Sequence, residues 1–152
     1  MRKVLTATLI LIATAACSST GSNGGPAVKP EIEIVQTSGV PLVARHEQGS
    51  INVQFLVGVA NRSNEPITLE RVRIASMSEG AYHVNHSMSY DIPIGPAQSQ
   101  QVEFWAPART GLSLVGSAGP VTLRVTCEFD SPSGKFQEIV TRVVSENSAV
   151  SD

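Results

Sequence analysis

The chain has little of several residue types that particular functions require. Aromatic residues make up only 5% of its 152 positions, which argues against a base-stacking platform or a sugar-binding cleft. Basic residues form no run or stripe and the formal net charge is −2, so the electrostatic footprint of a nucleic-acid-binding protein is missing. The composition therefore favours a protein that does not bind nucleic acid.

Motifs of enzymes are missing as well. The sequence contains no Gly-x-Ser-x-Gly, the motif that carries the nucleophile of many hydrolases. Gly111, Gly116 and Gly119 do not match a phosphate-binding loop, which would follow a strand and open a helix. We therefore expect no catalytic residues and no cofactor.

Cysteine is scarce, with only Cys17 and Cys127. Cys127 alternates in step with apolar neighbours in residues 121–129, so its thiol is expected to point into a core. An apolar interior raises the pKa of a thiol and makes it unreactive. We expect neither a catalytic cysteine nor a disulfide, because a Cys17–Cys127 bond would tie a segment without apolar pattern to a core strand.

The N-terminus has the form of a signal peptide. Arg2 and Lys3 precede an apolar run at residues 4–12, which is too short for a comfortable membrane span, and small residues then lead to Cys17. Ala15, Ala16 and Cys17 resemble the lipobox of bacterial lipoproteins, although Thr14 stands where that family usually has a large apolar residue. The resemblance implies cleavage before Cys17, lipidation (palmitate) of its thiol and anchoring in a membrane.

The position after the cysteine and the residues beyond it extend this interpretation. Ser18, rather than Asp, implies by the same resemblance an outer-membrane destination facing the periplasm. A Ser/Gly-rich tether of ~13 residues has a reach of about 20 Å. The alternative is ordinary cleavage after Ala15, since Ala13-Thr14-Ala15 also fits signal peptidase, and it would release a soluble periplasmic or secreted protein.

The chain accordingly divides into four parts. Residues 1–16 are the predicted signal peptide, residues 17–30 the lipidated cysteine and flexible linker, residues 31–145 one folded domain, and residues 146–152 a disordered tail.

Alternating hydrophobicity predicts that the domain is all-β. The clearest pair of strands begins at Ile51 and returns at Ile67, across a polar turn at residues 61–66. In the return strand Leu69 is odd-numbered and Val72 even-numbered, which predicts a β-bulge near Glu70 and Arg71, unless one strand ends there and another begins.

Further strands are predicted on both sides of this pair. They cover residues 31–36 (resuming at 42–44 after Gly39 and Pro41), 82–94, 102–106 (closed by Pro107), 121–129 and 136–144. About seven short strands without a helical period predict a single antiparallel β-sandwich, similar to immunoglobulin-like or fibronectin-like domains. Residues 108–120 form a long connection, either a packed cap at one end of the sandwich or a functional loop.

Charge predicts the register of the last hairpin, which turns at residues 130–135. Pairing Val125 with Ile139 places Thr126 opposite Glu138 and Thr122 opposite Arg142. Sliding by two residues would oppose Glu128 to Glu138 and Arg124 to Arg142, which repel each other. We therefore predict the first register.

Only one segment has residues suited to a metal. His83, His86 and Met88 are weak candidate copper ligands, with Met77 nearby in sequence. His83 and His86 differ in parity and would face opposite sides of a strand, whereas His86 and Met88 share a side. We expect His83 and the isolated His46 to be solvated and no ready-made metal site.

By elimination the sequence favours a membrane-anchored envelope lipoprotein, most simply a non-enzymatic binding or structural module. Beyond the lipid bilayer, its expected partner is an envelope protein that binds an edge strand or residues 108–120. The alternatives are a periplasmic copper-binding protein that uses His86 and Met88, and a secreted hydrolase with a composite site that has no sequence motif.

Overall fold

The seven β-strands predicted from alternating hydrophobicity are present. The computed structural model describes residues 25–38, 50–77, 80–110 and 120–144, and this part of the chain contains strands and no helix. The strands are β1 (Glu31–Ser38), β2 (Ser50–Ala60), β3 (Ile67–Ser76), β4 (Tyr82–Ile94), β5 (Ser99–Thr110), β6 (Val121–Asp130) and β7 (Phe136–Val144). The all-β prediction is therefore confirmed.

One antiparallel sheet contains all the strands, in the order β1-β2-β5-β4-β3-β6-β7. Its front half comprises β1, β2 and β5, and its back half comprises β4, β3, β6 and β7. β4 joins the halves, because its first residues pair with β5 at Tyr82–Thr110 and its later residues pair with β3. The outer strands β1 and β7 approach each other, so the sheet forms a nearly closed barrel.

The core lies between the two half-sheets and is built by alternate residues of every strand. Its largest fully buried side chains include Phe55, Phe104 and Phe129, and the rings of Phe55 and Phe104 lie 6.3 Å apart. Burying a side chain of this size stabilises the fold by roughly 1.5–3 kcal/mol.

The β-bulge predicted in β3 is present. The pairing of β3 with both β4 and β6 shifts between Leu69 and Arg71. The extra residue restores the alternation, so Val72 is buried while Arg71 and Arg73 are exposed.

The register predicted for the last hairpin is wrong by one residue. Val125 pairs with Val140 rather than Ile139, and Phe129 pairs with Phe136. The two phenylalanine rings stack at 5.1 Å, and this contact at the turn outweighs the charge pairs that we considered. Ile139 therefore faces outward.

The turn itself favours this pairing. The Gly134 N–H donates to the Ser131 carbonyl oxygen at 2.9 Å, and Ser131 Oγ donates to the Gly134 carbonyl oxygen at 2.9 Å. Gly134 has a φ of 116°, which suits a residue without a side chain.

The prediction that Pro107 ends its strand is also wrong, because β5 continues to Thr110. Pro107 is tolerated since it lies where β4 has not yet joined β5; their pairing begins at Ala108. Of the other sequence predictions, residues 1–24 (with Cys17), 42–44, His46, 111–119 and 146–152 lie outside the described residues.

Asn61 connects the two turns at one end of the barrel. Its Nδ2 donates to the carbonyl oxygens of Glu65, Ile94 and Gly95 at 2.8–3.1 Å. Its Oδ1 accepts from the N–H and the Oγ of Ser63 at 3.0 and 2.7 Å. One buried side chain therefore ties the β2–β3 turn to the end of β4.

We expect Asn61→Ala to lower the free energy of unfolding by about 2–3 kcal/mol, because it removes the hydrogen bonds of a buried amide, including the buried bond to the Ile94 carbonyl oxygen. Urea denaturation measures this, with the exposed neighbour Asn64→Ala as the matched control. Equal stability of the two variants would contradict the role given to Asn61.

Candidate functional site

β4 and β5 separate after the pair Val84–Ala108, and this separation creates a seam with unpaired backbone groups. Side chains of β4 fill it. Tyr90 Oη donates to the Glu103 carbonyl oxygen at 2.7 Å, and the Trp105 N–H donates to Met88 Sδ at 3.4 Å. The seam is thus closed by side chains where a strand pair would normally provide the hydrogen bonds.

Two buried groups of the back half-sheet have raised pKa values. Burial, and to a smaller extent the nearby Cys127, raises the pKa of Tyr90 to about 12. Burial, and then the proximity of Glu138, raises the pKa of Cys127 to about 12. Cys127 is completely buried, as its alternation predicted, and a thiol in this environment is a poor nucleophile.

The structure brings together only two of the three candidate copper ligands. His86 and Met88 lie on the same side of β4, next to the seam, and the His86 ring packs edge-on against Phe104 at 5.8 Å. His83 is exposed on the opposite side, where it pairs with Arg109. Within the described residues, no three His, Cys, Asp or Glu side chains form a group suited to a metal ion.

The edge strand β7 carries a charged side chain that points inward. β7 directs Glu138 toward the inside of the barrel, where Lys29 Nζ lies 2.7 Å from its carboxylate. Inward-pointing charge on an edge strand discourages pairing with other chains. The geometry therefore makes β7 a poor template for strand addition.

A more distinctive surface lies on the outside of the front half-sheet. Trp105, the only tryptophan in the chain, is 48% exposed there, in the interior of β5. On β2, Gln54 pairs with Trp105, and the half-buried Leu56 lies diagonally opposite Trp105. Leu56 in turn pairs with Val35 on β1. We call these four residues the Trp105 surface.

Sequence reasoning missed the exposed apolar residues for two different reasons. Trp105 could have been found, because the even-numbered Phe104 and Ala106 face inward and leave it outward. Ile139 and Val143 could not have been found. Which side of β7 they face depends on the register of the last hairpin, and the predicted register was wrong.

Comparison with known proteins supports the fold alone. No protein-family model and no curated protein sequence matches the chain. The X-ray structure of Northeast Structural Genomics Consortium target SoR45 is similar, with a TM-score of 0.50 and 14% identity over 80% of this chain and 89% of that one. A protein from Archaeoglobus fulgidus gives a TM-score of 0.39 at 12% identity, over 76% and 96% of the two chains, too low to support an argument.

The raised pKa of Cys127 predicts that alkali destabilises the domain. The unfolded thiol loses its proton above pH ~9 while the folded thiol keeps it, so the free energy of unfolding falls by about 1.4 kcal/mol per pH unit toward pH ~12. Urea denaturation between about pH 8 and 11 measures this slope.

The matched variant is Cys127→Ala, which we expect to be less stable at neutral pH but to show a shallower slope. The slope that remains comes from Tyr90 and Tyr82, whose pKa values are also raised by burial, and from Lys135, whose pKa is raised by its hydrogen bond to Glu70. Identical slopes in the two proteins would show that the thiol contributes nothing.

Proposed function

We propose that the chain is a membrane-anchored lipoprotein of the bacterial cell envelope, carrying a non-enzymatic binding module. The support for the anchor is the sequence at residues 1–17, with its charged start, apolar run and Ala15-Ala16-Cys17. The outer membrane, facing the periplasm, is the proposed location. Within the described residues there is no helix long and apolar enough to cross a membrane.

The proposal includes an immunoglobulin-like sandwich as the architecture of the domain. Two antiparallel half-sheets face each other across one core, which is the arrangement of such domains. This barrel-like domain differs from a sandwich of two separate sheets because β4 belongs to both halves.

The linker would join the domain at the start of β7. A side chain on Gly25 would meet the ring of Phe136, with its Cβ only 2.8 Å from Cγ, so the backbone passes directly over that ring. Pro30 is buried, and Lys29 pairs with Glu138 on the same strand. These contacts hold the chain against the domain before β1 begins.

The exposed Trp105 is the observation that carries the binding role. Alternation along β5 places Trp105 on the outside, where 48% of this large apolar side chain stays in water. Tryptophan is enriched in the few residues that dominate the energy of protein interfaces. The Trp105 surface is therefore the proposed contact with another envelope protein.

Cross-linking in intact cells, followed by mass spectrometry of the membrane-extracted protein, tests both parts of the proposal. We expect a lipidated Cys17 and a dominant cross-linked partner. Trp105→Ala should weaken binding of that partner about 30-fold or more, since such a residue contributes at least about 2 kcal/mol.

The matched control is Val28→Ala, which removes an exposed apolar side chain elsewhere on the domain. A soluble, unmodified protein would refute the anchor. A partner that binds wild type and Trp105→Ala equally would refute the proposed contact, while leaving the anchor intact.

Periplasmic copper binding is the second candidate, because His86 and Met88 lie on the same side of β4. Met88 Sδ already accepts the Trp105 N–H, so a bound ion would have to replace this contact. This function predicts binding of Cu(I) tighter than micromolar, weakened about tenfold or more by His86→Ala or Met88→Leu but unchanged by His83→Ala. Weaker binding by the wild-type chain in a competition titration would exclude it.

A further inference from the structure

The outward residues of β5 form a self-complementary series. Four exposed residues lie in succession on the outer side of this strand: Glu103, Trp105, Pro107 and Arg109. A two-fold axis at Ala106 would exchange the acidic end of the series with its basic end, and the tryptophan with the proline. A second copy of the strand, running antiparallel to the first, is therefore complementary to it.

The two charged groups of this series cannot neutralise each other within one chain. Glu103 and Arg109 lie about 20 Å apart along an extended strand. Neither has an ion-pair partner among the described residues. Glu31 and Glu33 lie further along the sheet on β1, and Glu31 pairs with Arg62 at 2.9 Å. The front half-sheet therefore has charges of both signs, and their order along β5, rather than their sum, distinguishes one partner from another.

The neighbouring positions of β2 follow the same exchange. Asn52 pairs with Pro107 and Gln54 pairs with Trp105, in two adjacent rows of the sheet. The axis exchanges these rows, so that Asn52 of one copy meets Gln54 of the other. Amide side chains both donate and accept hydrogen bonds, so these two can pair with each other.

The next row on each side completes the exchange. Leu56 pairs with Glu103 in one row, and Ser50 pairs with Arg109 in the other. Exchanging the two rows brings the opposite charges together and sets the half-buried Leu56 against the small Ser50, which leaves room for the longer side chain. Four successive rows are thus compatible with the same axis.

We propose that the Trp105 surface binds a second copy of this chain, face to face, about a two-fold axis at Ala106. This inference rests on the proposed binding role of that surface and names its partner. Each Trp105 ring packs on Pro107 of the other copy, and two ion pairs between Glu103 and Arg109 flank the rings. Sheets pack face to face at about 10 Å, and ion pairs at the rim fix the register of the two copies.

The size of the contact predicts a weak dimer. Three strands about 4.8 Å apart and four rows about 7 Å apart cover roughly 400 Å² in projection. Stable complexes bury about 800 Å² per partner, so we expect micromolar rather than nanomolar affinity. Anchoring both copies in one membrane would raise their local concentration and favour the dimer.

Sedimentation velocity of the full chain in mild detergent, at about 1–500 µM, tests the proposal. Wild type should change from monomer to dimer as its concentration rises. Glu103→Arg or Arg109→Glu converts both ion pairs into like-charge contacts, so each variant should dimerise at least about tenfold more weakly. Trp105→Ala removes two rings from the contact and should weaken the dimer about 100-fold or more.

A mixture of the two charge variants gives the sharpest result. When Glu103→Arg meets Arg109→Glu, the two arginines of one chain face the two glutamates of the other. We therefore expect the mixture to dimerise about as tightly as wild type, although neither variant does so alone. The matched controls Asp91→Arg and Arg124→Glu, exposed on the back half-sheet, should change dimerisation less than about threefold. Thermal melts verify that each variant is folded.

A zero-length cross-link identifies the contact directly. A carbodiimide joins a carboxylate to an amine that touches it, so Arg109→Lys should become linked to Glu103 in the dimer. Because these positions are about 20 Å apart within one chain, the linked peptides must come from two chains. Arg124→Lys is the matched control and should not become linked to Glu103.

Three results would overturn the proposal. They are a wild type that stays monomeric over this range, charge variants that dimerise as tightly as wild type, and a mixture that dimerises no better than its components. If wild type is monomeric but Trp105→Ala still loses its cross-linked partner in cells, that partner is a different protein and the proposed function stands. Equal binding of that partner by wild type and Trp105→Ala would instead refute the proposed contact itself.

Discussion

The shared position of β4 is the constraint on which the rest of the domain depends. Its first residues extend the front half-sheet and its later residues belong to the back half-sheet, so the strand must leave β5 partway along. The backbone groups that it leaves open are satisfied by Tyr90 and Met88. This arrangement closes the barrel on one side. It also lets β5 contain Pro107 without loss of a ladder hydrogen bond, because β4 does not pair with β5 at that residue.

The stacking of Phe129 on Phe136 fixes the register of β7, and the register determines which side chains of this edge strand face inward. In this register Glu138 turns inward opposite Cys127, and Ile139 turns outward. The inward carboxylate is neutralised by Lys29 and protects an edge strand from pairing with other chains. The same register turns Ile139 and Val143 outward, where they are 48% and 63% exposed.

The two outer sides of the domain differ in the apolar side chains that they expose. The front half-sheet presents Trp105, the only tryptophan in the chain, in the interior of β5. The back half-sheet presents Ile139 and Val143 on its edge strand β7. The similarity to the SoR45 structure supports the fold alone, because one fold can carry many unrelated functions.

The sequence by itself determined what depends on alternation along one strand: the all-β class, the seven strands, the bulge at Leu69–Arg71 and the inward direction of Cys127. These follow because the side-chain period of a strand is local and equals two residues. The register of β7, the division of β4 between two half-sheets and the continuation of β5 past Pro107 were decided only by the tertiary structure. They depend on contacts between distant segments, and a slip of one residue exchanges every inward side chain for an outward one.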